Sequence, residues 1–248
     1  MPIFRLTDDI QFPPVDLAED SGLLAVGGDL TSERLLCAYR DGIFPWFSIG
    51  DPLLWWFTSP RLVLFPKEFH IPKRVARYQR NCNFTITKDT AFAAVIQQCA
   101  TIRTESGEDT WIIEEMKNAY EELHRLGYAH SVECWQNDTL VGGLYGVALG
   151  KVFFGESMFS RIRCGSQFAL IALMKYLEKE NYQMIDCQMT TNHLLRFGAR
   201  EITGGAFHKL LKLHIPDILP QEHWYSDEKN TNRPLQPLRQ EQETHLIK

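Results

Sequence analysis

The segment from Tyr128 to Phe159 constrains the fold more than any other part of the chain. Tyr128–Gln136 alternates at the period of a strand, and Asn137-Asp138 supplies a turn. Thr139–Ala148 and Val152–Phe159 read as a further hairpin around Leu149-Gly150-Lys151. Strands joined by connections this short pair antiparallel. A helix follows, with Ser166 as its cap and Phe168, Ile171 and Ala172 at helical spacing, running to about Lys179. Tyr182–Gln188 is then a further strand. Hairpin strands followed by a helix and another strand predict an α/β (α+β) fold, a mixed sheet flanked by helices.

The remaining elements fit around this block. Leu62-Val63-Leu64-Phe65 reads as a strand. Phe92, Val95, Ile96 and Cys99 have helical spacing, as do Met116, Tyr120 and Leu123 on a helix that stops near Gly127. Residues 1–60 differ in character. Thr31 is placed to cap a short helix with Leu35, Leu36 and Tyr39 on one face, and Gly42 stands where a left-handed helix stop falls. Ile43-Phe44-Pro45-Trp46-Phe47 and Leu53-Leu54-Trp55-Trp56-Phe57 give this loop-rich part a dense set of aromatics. These pin a small module with little regular core, or leave an aromatic free to stack on a base. The expected division is a small N-terminal domain over 1–60, a larger domain over 61–220, and a polar, weakly ordered tail over 221–248.

Of the 248 residues, 44% are hydrophobic and 23% charged, which suits a globular chain with a real core. No apolar run is long enough to span a bilayer, and the opening MPIFRLTDDI lacks the apolar centre of a secretory leader. The expected location is the cytoplasm, with no membrane partner. The six cysteines are scattered without a C-x-x-C pair, so free thiols are expected, and no His, Cys and acid spacing suggests a metal site. The net charge of −5 disfavours non-specific binding to nucleic acid, so any RNA contact needs a local basic cluster. Lys73, Arg77 and Arg80 fall on one face of a possible helix, with Arg61, Lys67 and Arg74 nearby and Glu68 the one acid from 61 to 80. The face is either an RNA contact or a solvated helix surface.

Two constellations carry candidate chemistry. In Gly155-Glu156-Ser157-Met158, strand alternation puts Glu156 and Met158 on one face, and in Ile185-Asp186-Cys187-Gln188 it pairs Asp186 with Gln188. If the two strands are neighbours, Glu156, Asp186 and Gln188 meet in one cleft. Acids in apolar strands are costly unless paired or used, so they serve either a reaction or hydrogen bonds to loops and Arg side chains. The glycine-rich run from Val141 to Gly150 leads into a strand, not a helix, so it reads as close backbone packing in a sheet and not as a dinucleotide loop. His193, just after the Asp186 strand, reads as a positional or capping residue.

The strings Gly22-Leu23-Leu24-Ala25-Val26-Gly27-Gly28-Asp29-Leu30 and Ala38-Tyr39-Arg40-Asp41-Gly42-Ile43-Phe44-Pro45-Trp46 resemble the N-terminal signature of leucyl/phenylalanyl-tRNA–protein transferases. Leu54-Trp55-Trp56, Thr110-Trp111-Ile112, Leu126 to Glu133, Leu140 to Val147, Phe154 to Ser160, Ile185 to Gln188 and His193-Leu194 extend the resemblance over roughly residues 3 to 213. It implies a GNAT acyltransferase-like larger domain, with Leu or Phe, and with them Met, as the residue taken from aminoacyl-tRNA. It further implies acceptor proteins beginning with Arg or Lys, and products that enter N-end-rule degradation. Asp186 and Gln188 match the family's catalytic pair, with Glu156 in the same site. Trp46 and Trp111 match its contacts to the terminal adenosine, and Phe153, Met158, Leu170 and Ile185 its apolar side-chain pocket. Tyr39 and Tyr120 are expected beside the substrate, and Arg61, Lys73, Arg74, Arg77 and Arg80 against tRNA. The donor ester is already activated, so no cofactor is expected, and the chain is expected to act as a monomer. It departs from the family pattern at Gly165-Ser166-Gln167, where Ala-Ser-Lys is usual, at Arg196-Phe197-Gly198, at Thr203-Gly204-Gly205, and at Ile113 in place of a capping Thr. An acyl-CoA-dependent N-acyltransferase and a tRNA-binding protein without transfer activity are the alternative readings.

Overall fold

A computed structural model describes residues 3–80, 82–105, 107, 110–220 and 224. The N-terminal part forms a small sheet from β1 (Phe4–Leu6), β2 (Leu23–Gly27), β3 (Phe44–Pro45) and β4 (Leu54–Trp56), in the order β1-β2-β4-β3. Between β2 and β3 lies α1 (Ser32–Arg40), whose first turn is capped by Thr31 Oγ1 accepting from Arg34 N at 3.4 Å. Gly42 follows the end of the helix with a positive φ of 78°.

The larger sheet is built from β5 (Arg61–Leu64), β6 (Thr85–Lys88), β7 (Ala129–Gln136), β8 (Thr139–Leu149), β9 (Val152–Ser160), β10 (Met184–Asp186) and β11 (Arg200–Ile202). Its order is β11-β5-β10-β9-β8-β7-β6. The meander β7-β8-β9 is antiparallel as the turn chemistry demands, and in this sheet, among the described residues, β9–β10 is the one parallel pairing. This is the expected mixed sheet flanked by helices. Helices α3 (Phe92–Glu105) and α4 (Glu114–Arg125) cover one face, and α5 (Gly165–Lys179) covers the other. The alternation is visible in the two cores. Val147, Phe154 and Met184 pack with α3, α4 and the N-terminal module, whereas Ala148, Phe153 and Ile185 pack with α5. The first core runs without a break from Leu24 and Tyr39 to Phe154 and Phe207, so the small sheet shares its apolar interior with the large one. The described residues also form α2 (Lys73–Arg80) and α7 (Gly204–His214), with the single-turn α6 (Asn192–Leu195) between β10 and β11.

Several local expectations differ from what forms. The strand expected over Tyr182–Gln188 covers only Met184–Asp186, because Gln188 takes a left-handed backbone with φ 59° and turns the chain out of the sheet. Ser166 does not cap α5. Cys164 occupies the cap position in a left-handed conformation, and Ser166 N donates to Ser160 Oγ at 3.1 Å. Ile113 stands at the N-cap of α4 without a side-chain cap, and Glu114 and Glu115 supply the helix's acidic first turn instead. His193 is not a cap either, since Thr191 Oγ1 accepts from Leu194 N. The polar tail lies outside the described residues except for Trp224, which is buried. All six cysteines are free.

The glycine-rich β8 packs as its sequence predicts. A Cβ on Gly142 would stand 2.3 Å from the backbone carbon of Gly165, where α5 begins. Neither backbone can yield without moving the sheet or the helix. Gly142→Ala is therefore expected to lower stability by about 2 kcal/mol or more in urea unfolding. Gly205→Ala, near the start of α7 with no atom within 4 Å of the new Cβ, is expected to raise it by about 0.5 kcal/mol. Equal effects at the two positions would show that the β8–α5 approach is looser than described.

Candidate active site

The end of β10 decides where the site lies. Strands β9 and β10 pair from Met184↔Val152 to Asp186↔Phe154, and then β10 stops while β9 continues to Ser160. A cavity of about 630 Å³ opens in the gap. Phe153, Met158, Leu170 and Ile185 line its apolar part, together with Leu144 and Leu173, which the sequence did not single out. Trp46 and Trp111 also line it. Trp46 is 41% exposed, held by its carbonyl accepting from Trp56 Nε1 at 2.6 Å, and Trp111 is buried edge-on to Tyr120.

Glu156 reaches the cavity through a break in register. Tyr145 pairs with Ser157 and Gly146 with Gly155, so Glu156 is the extra residue of a bulge on β9. Its Oε1 accepts from Gln188 Nε2 at 3.0 Å and its Oε2 from the Tyr120 hydroxyl at 2.9 Å. The Tyr39 hydroxyl bonds that of Tyr120 in turn. Burial pushes the Glu156 carboxyl up to about 7, against the hydrogen bonds of the two tyrosines and with the Asp186 charge adding to the rise. Tyr39 and Tyr120 are fully buried and support Glu156 from behind. They are not among the residues that line the cavity, contrary to the expected place beside the substrate.

Asp186 is engaged on both oxygens. Arg61 Nε donates to Oδ1 at 2.8 Å and Arg61 Nη2 to Oδ2 at 2.6 Å, while the Gln188 backbone N–H donates to Oδ1 at 2.9 Å. Of the two acids, Asp186 pairs with an arginine, the second of the alternatives raised for them, while Glu156 faces the cavity. Gln188 is brought to Glu156 by its left-handed turn and not by strand alternation. That turn is held by Asp186 on its N–H and by its carbonyl accepting from Leu62 N at 3.2 Å.

Arg61 is the main correction to the expected tRNA contacts. It is 0% exposed, its Nη2 also donates to the Gly42 carbonyl at 2.9 Å, and its guanidinium lies 4.8 Å from the Phe44 ring centroid and 4.6 Å from that of Phe207. The signal was in the sequence: Arg61 precedes Leu62-Val63-Leu64, and alternation sets it on the face of Val63, in the core. Lys73, Arg74, Arg77 and Arg80 are exposed on α2, which touches the body through Val75 and through Tyr78 stacked on Phe168. Exposed Arg163 sits over the Tyr78 ring and extends the same basic surface. His193 lines the cavity, and burial lowers its imidazole below the usual range, with Arg196 adding to the effect. Cys187 also lines the cavity, but burial and then Asp186 push its thiol far up, which disfavours a thiolate nucleophile.

A buried carboxyl whose pKa rises on folding favours the folded state below its unfolded value, about 4.5, and loses that contribution as pH climbs through about 7. Glu156→Gln keeps both acceptor and donor capacity without the charge. The variant is therefore expected to gain thermal stability over the parent at pH 8.5 and to show little gain at pH 5. A gain of the same size at both pH values would contradict the raised carboxyl.

The profile of the family described as leucyl/phenylalanyl-tRNA protein transferase matches residues 63–212, and that of its N-terminal domain matches residues 28–59. A leucyl/phenylalanyl-tRNA–protein transferase of Desulfotalea psychrophila is 57% identical over 224 residues, 90% of this chain and 99% of that protein. One from Syntrophobacter fumaroxidans is 53% identical over 234 residues, 94% of this chain and all of the relative. Among solved structures, the C-terminal domain of a putative lysylphosphatidylglycerol synthetase from Agrobacterium fabrum aligns with a TM-score of 0.41 and 10% identity, covering 77% of this chain and 71% of that one. An aminoglycoside acetyltransferase from a soil metagenomic sample aligns at 0.35 and 12%, covering 59% and 97%. Both structural likenesses are too distant to add to the sequence match. With both of its profiles matched and relatives aligned along nearly their whole length, this chain belongs to the leucyl/phenylalanyl-tRNA–protein transferase family.

Proposed function

We propose that this enzyme transfers Leu or Phe from aminoacyl-tRNA to the α-amine of an acceptor protein that begins with Arg or Lys, and so marks the product for N-end-rule degradation. The observation that carries the reading is the cavity itself, apolar along Phe153, Met158, Leu170 and Ile185 and closed by Glu156 with Gln188 beside it. The apolar wall takes the donor side chain and disfavours polar ones, which would lose hydrogen bonds there. Trp46 and Trp111 hold the terminal adenosine by stacking. Glu156 is the one carboxylate among the cavity-lining residues described, which suits a cationic acceptor end.

In the reaction the acceptor nitrogen attacks the ester carbonyl carbon. A C–N bond forms, the bond from that carbon to the ribose oxygen breaks, and the adenosine hydroxyl leaves. An α-ammonium has a reference pKa of about 8 and must lose a proton to attack. Once that first proton has gone to solvent, Gln188 positions the neutral amine, and Glu156, poised near 7 by burial, takes the second proton, which the nitrogen sheds as the C–N bond forms, and passes it to the leaving oxygen. Asp186 touches no reacting atom in this scheme. It holds the Gln188 turn and neutralises Arg61. The terminal adenosine and the amino acid enter the cavity, and Lys73, Arg74, Arg77 and Arg80 meet the tRNA backbone.

Charged tRNA and an Arg-started peptide should give Leu- or Phe-extended product, and a peptide starting with Glu should give little. Acylation by acetyl-CoA without any tRNA-dependent product would overturn the assignment. The turnover should rise with pH through about 7 for the parent, and Glu156→Gln should lose that rise together with at least about 100-fold in kcat. A variant with an unchanged profile would assign the proton to another group.

Converting Lys73, Arg77 and Arg80 together to Ala should flatten the slope of log tRNA affinity against log salt. The change should be a little under about one unit for each phosphate that these side chains neutralise. An unchanged slope and affinity would make α2 a solvated face and move the tRNA-binding surface elsewhere.

A further inference from the structure

We propose that Trp224 sets the depth of the donor side-chain cavity by acting as the back stop of Phe153, and so helps fix the relative use of Phe and Leu. Trp224 lies beyond the residues that the family profiles match, yet it is buried in the core on the α5 side. Its ring lies flat on His130, with centroids 4.0 Å apart and planes parallel. Tyr176 of α5 stands 4.7 Å away and Tyr182 6.1 Å away, edge-on. Its backbone N–H donates to Asp89 Oδ2 at 2.5 Å, and the same carboxylate bonds His130 Nδ1 at 2.8 Å and accepts from Ser131 N at 2.9 Å. Position 224 is therefore gripped by backbone and ring together, which is the pattern of a built slot and not of chance contact.

The fourth wall of the slot is Phe153, whose ring centroid is 5.6 Å from that of Trp224. Phe153 also lines the cavity. Helix α5 spans both places: Leu170 and Leu173 face the cavity and Tyr176 faces the slot. Phe153 is thus the partition between the two. Its ring rests on the bare backbone of Gly146, where a Cβ would come within 2.6 Å of it, so that side cannot give way. The indole closes another side, its ring centroid 5.6 Å from that of Phe153. Removing the indole leaves space behind Phe153, the partition can recede, and the cavity deepens. A deeper apolar cavity favours the larger donor side chain.

This inference rests on the reading that the cavity holds the donor side chain, and one assay separates the two. Steady-state transfer by the full chain is measured with Phe-tRNA and Leu-tRNA in parallel, for the parent, Trp224→Ala and Trp224→Phe. If the parent uses neither donor, the functional reading fails. If it uses them, Trp224→Ala should raise the Phe-to-Leu ratio of kcat/KM by about fivefold, mostly through KM. Trp224→Phe, which keeps one ring and withdraws the other, should raise it by about twofold. A loss that is equal for both donors, with the ratio unchanged, makes Trp224 a purely structural anchor and overturns the proposal. Should Trp224→Ala fail to fold, the ratio in Trp224→Phe decides in the same way.

Discussion

The buried pair of Arg61 and Asp186 is the interaction on which the site depends. Two charges removed from water cost several kcal/mol each unless geometry and further hydrogen bonds compensate. Here the pairing is two-pronged, Gly42 and Gln188 take up remaining valences, and Phe44 and Phe207 present ring faces to the guanidinium. The pair and its compensating groups come from several separate parts of the chain. Gly42 and Phe44 belong to the N-terminal module, Asp186 to β10, Arg61 to β5 and Phe207 to α7. The pair can be satisfied only when all four are in place, so it acts as a check on the assembly of the two sheets as well as a contributor to the site.

The same constraint sorts the acids by role. Asp186 has its oxygens filled by three fixed donors and no opening to the cavity, whereas Glu156 has two neutral donors and faces it. Burial without a directly bonded cation is what lifts the Glu156 carboxyl toward neutrality. The N-terminal module contributes to that as well, since α1 supplies Tyr39, which closes the space behind Tyr120. A carboxyl raised in this way needs water kept out on the sheet side, and the shared core from Leu24 to Phe207 provides the seal. The small module is thus part of the surroundings of Glu156 and not an appendage.

Much of this was legible in the sequence because it depends on period and turn chemistry. The β7-β8-β9 meander and the close packing of the glycine run follow from alternation and tight turns. What was not legible depends on departures from regularity. Gln188 faces Glu156 through a left-handed turn, and Glu156 faces the cavity through a bulge; neither has a signature in residue order. Arg61 looked like a member of a basic cluster because its neighbours in sequence are basic, but its place on an apolar strand outweighs that company. Trp224 was read as part of a polar tail because composition averages over a window, and one buried aromatic disappears in such an average.

The pairing of Arg61 with Asp186 also governs how substitutions at Asp186 must be read. Truncating one partner of a buried ion pair leaves the other charge uncompensated, at a cost of about 3–5 kcal/mol, which is a large part of the stability of an ordinary domain. A fall in activity after Asp186→Ala therefore mixes impaired folding with impaired chemistry, and it gives no support by itself to proton transfer through Asp186. Asp186→Asn keeps the shape and one acceptor oxygen but presents an N–H toward a guanidinium, so it carries the same ambiguity. Glu156 is free of it, because its partners are neutral and a glutamine there still accepts from Tyr120 or Gln188. The proton-transfer step is best interrogated at Glu156, and the integrity of the Gln188 turn at the Arg61–Asp186 pair.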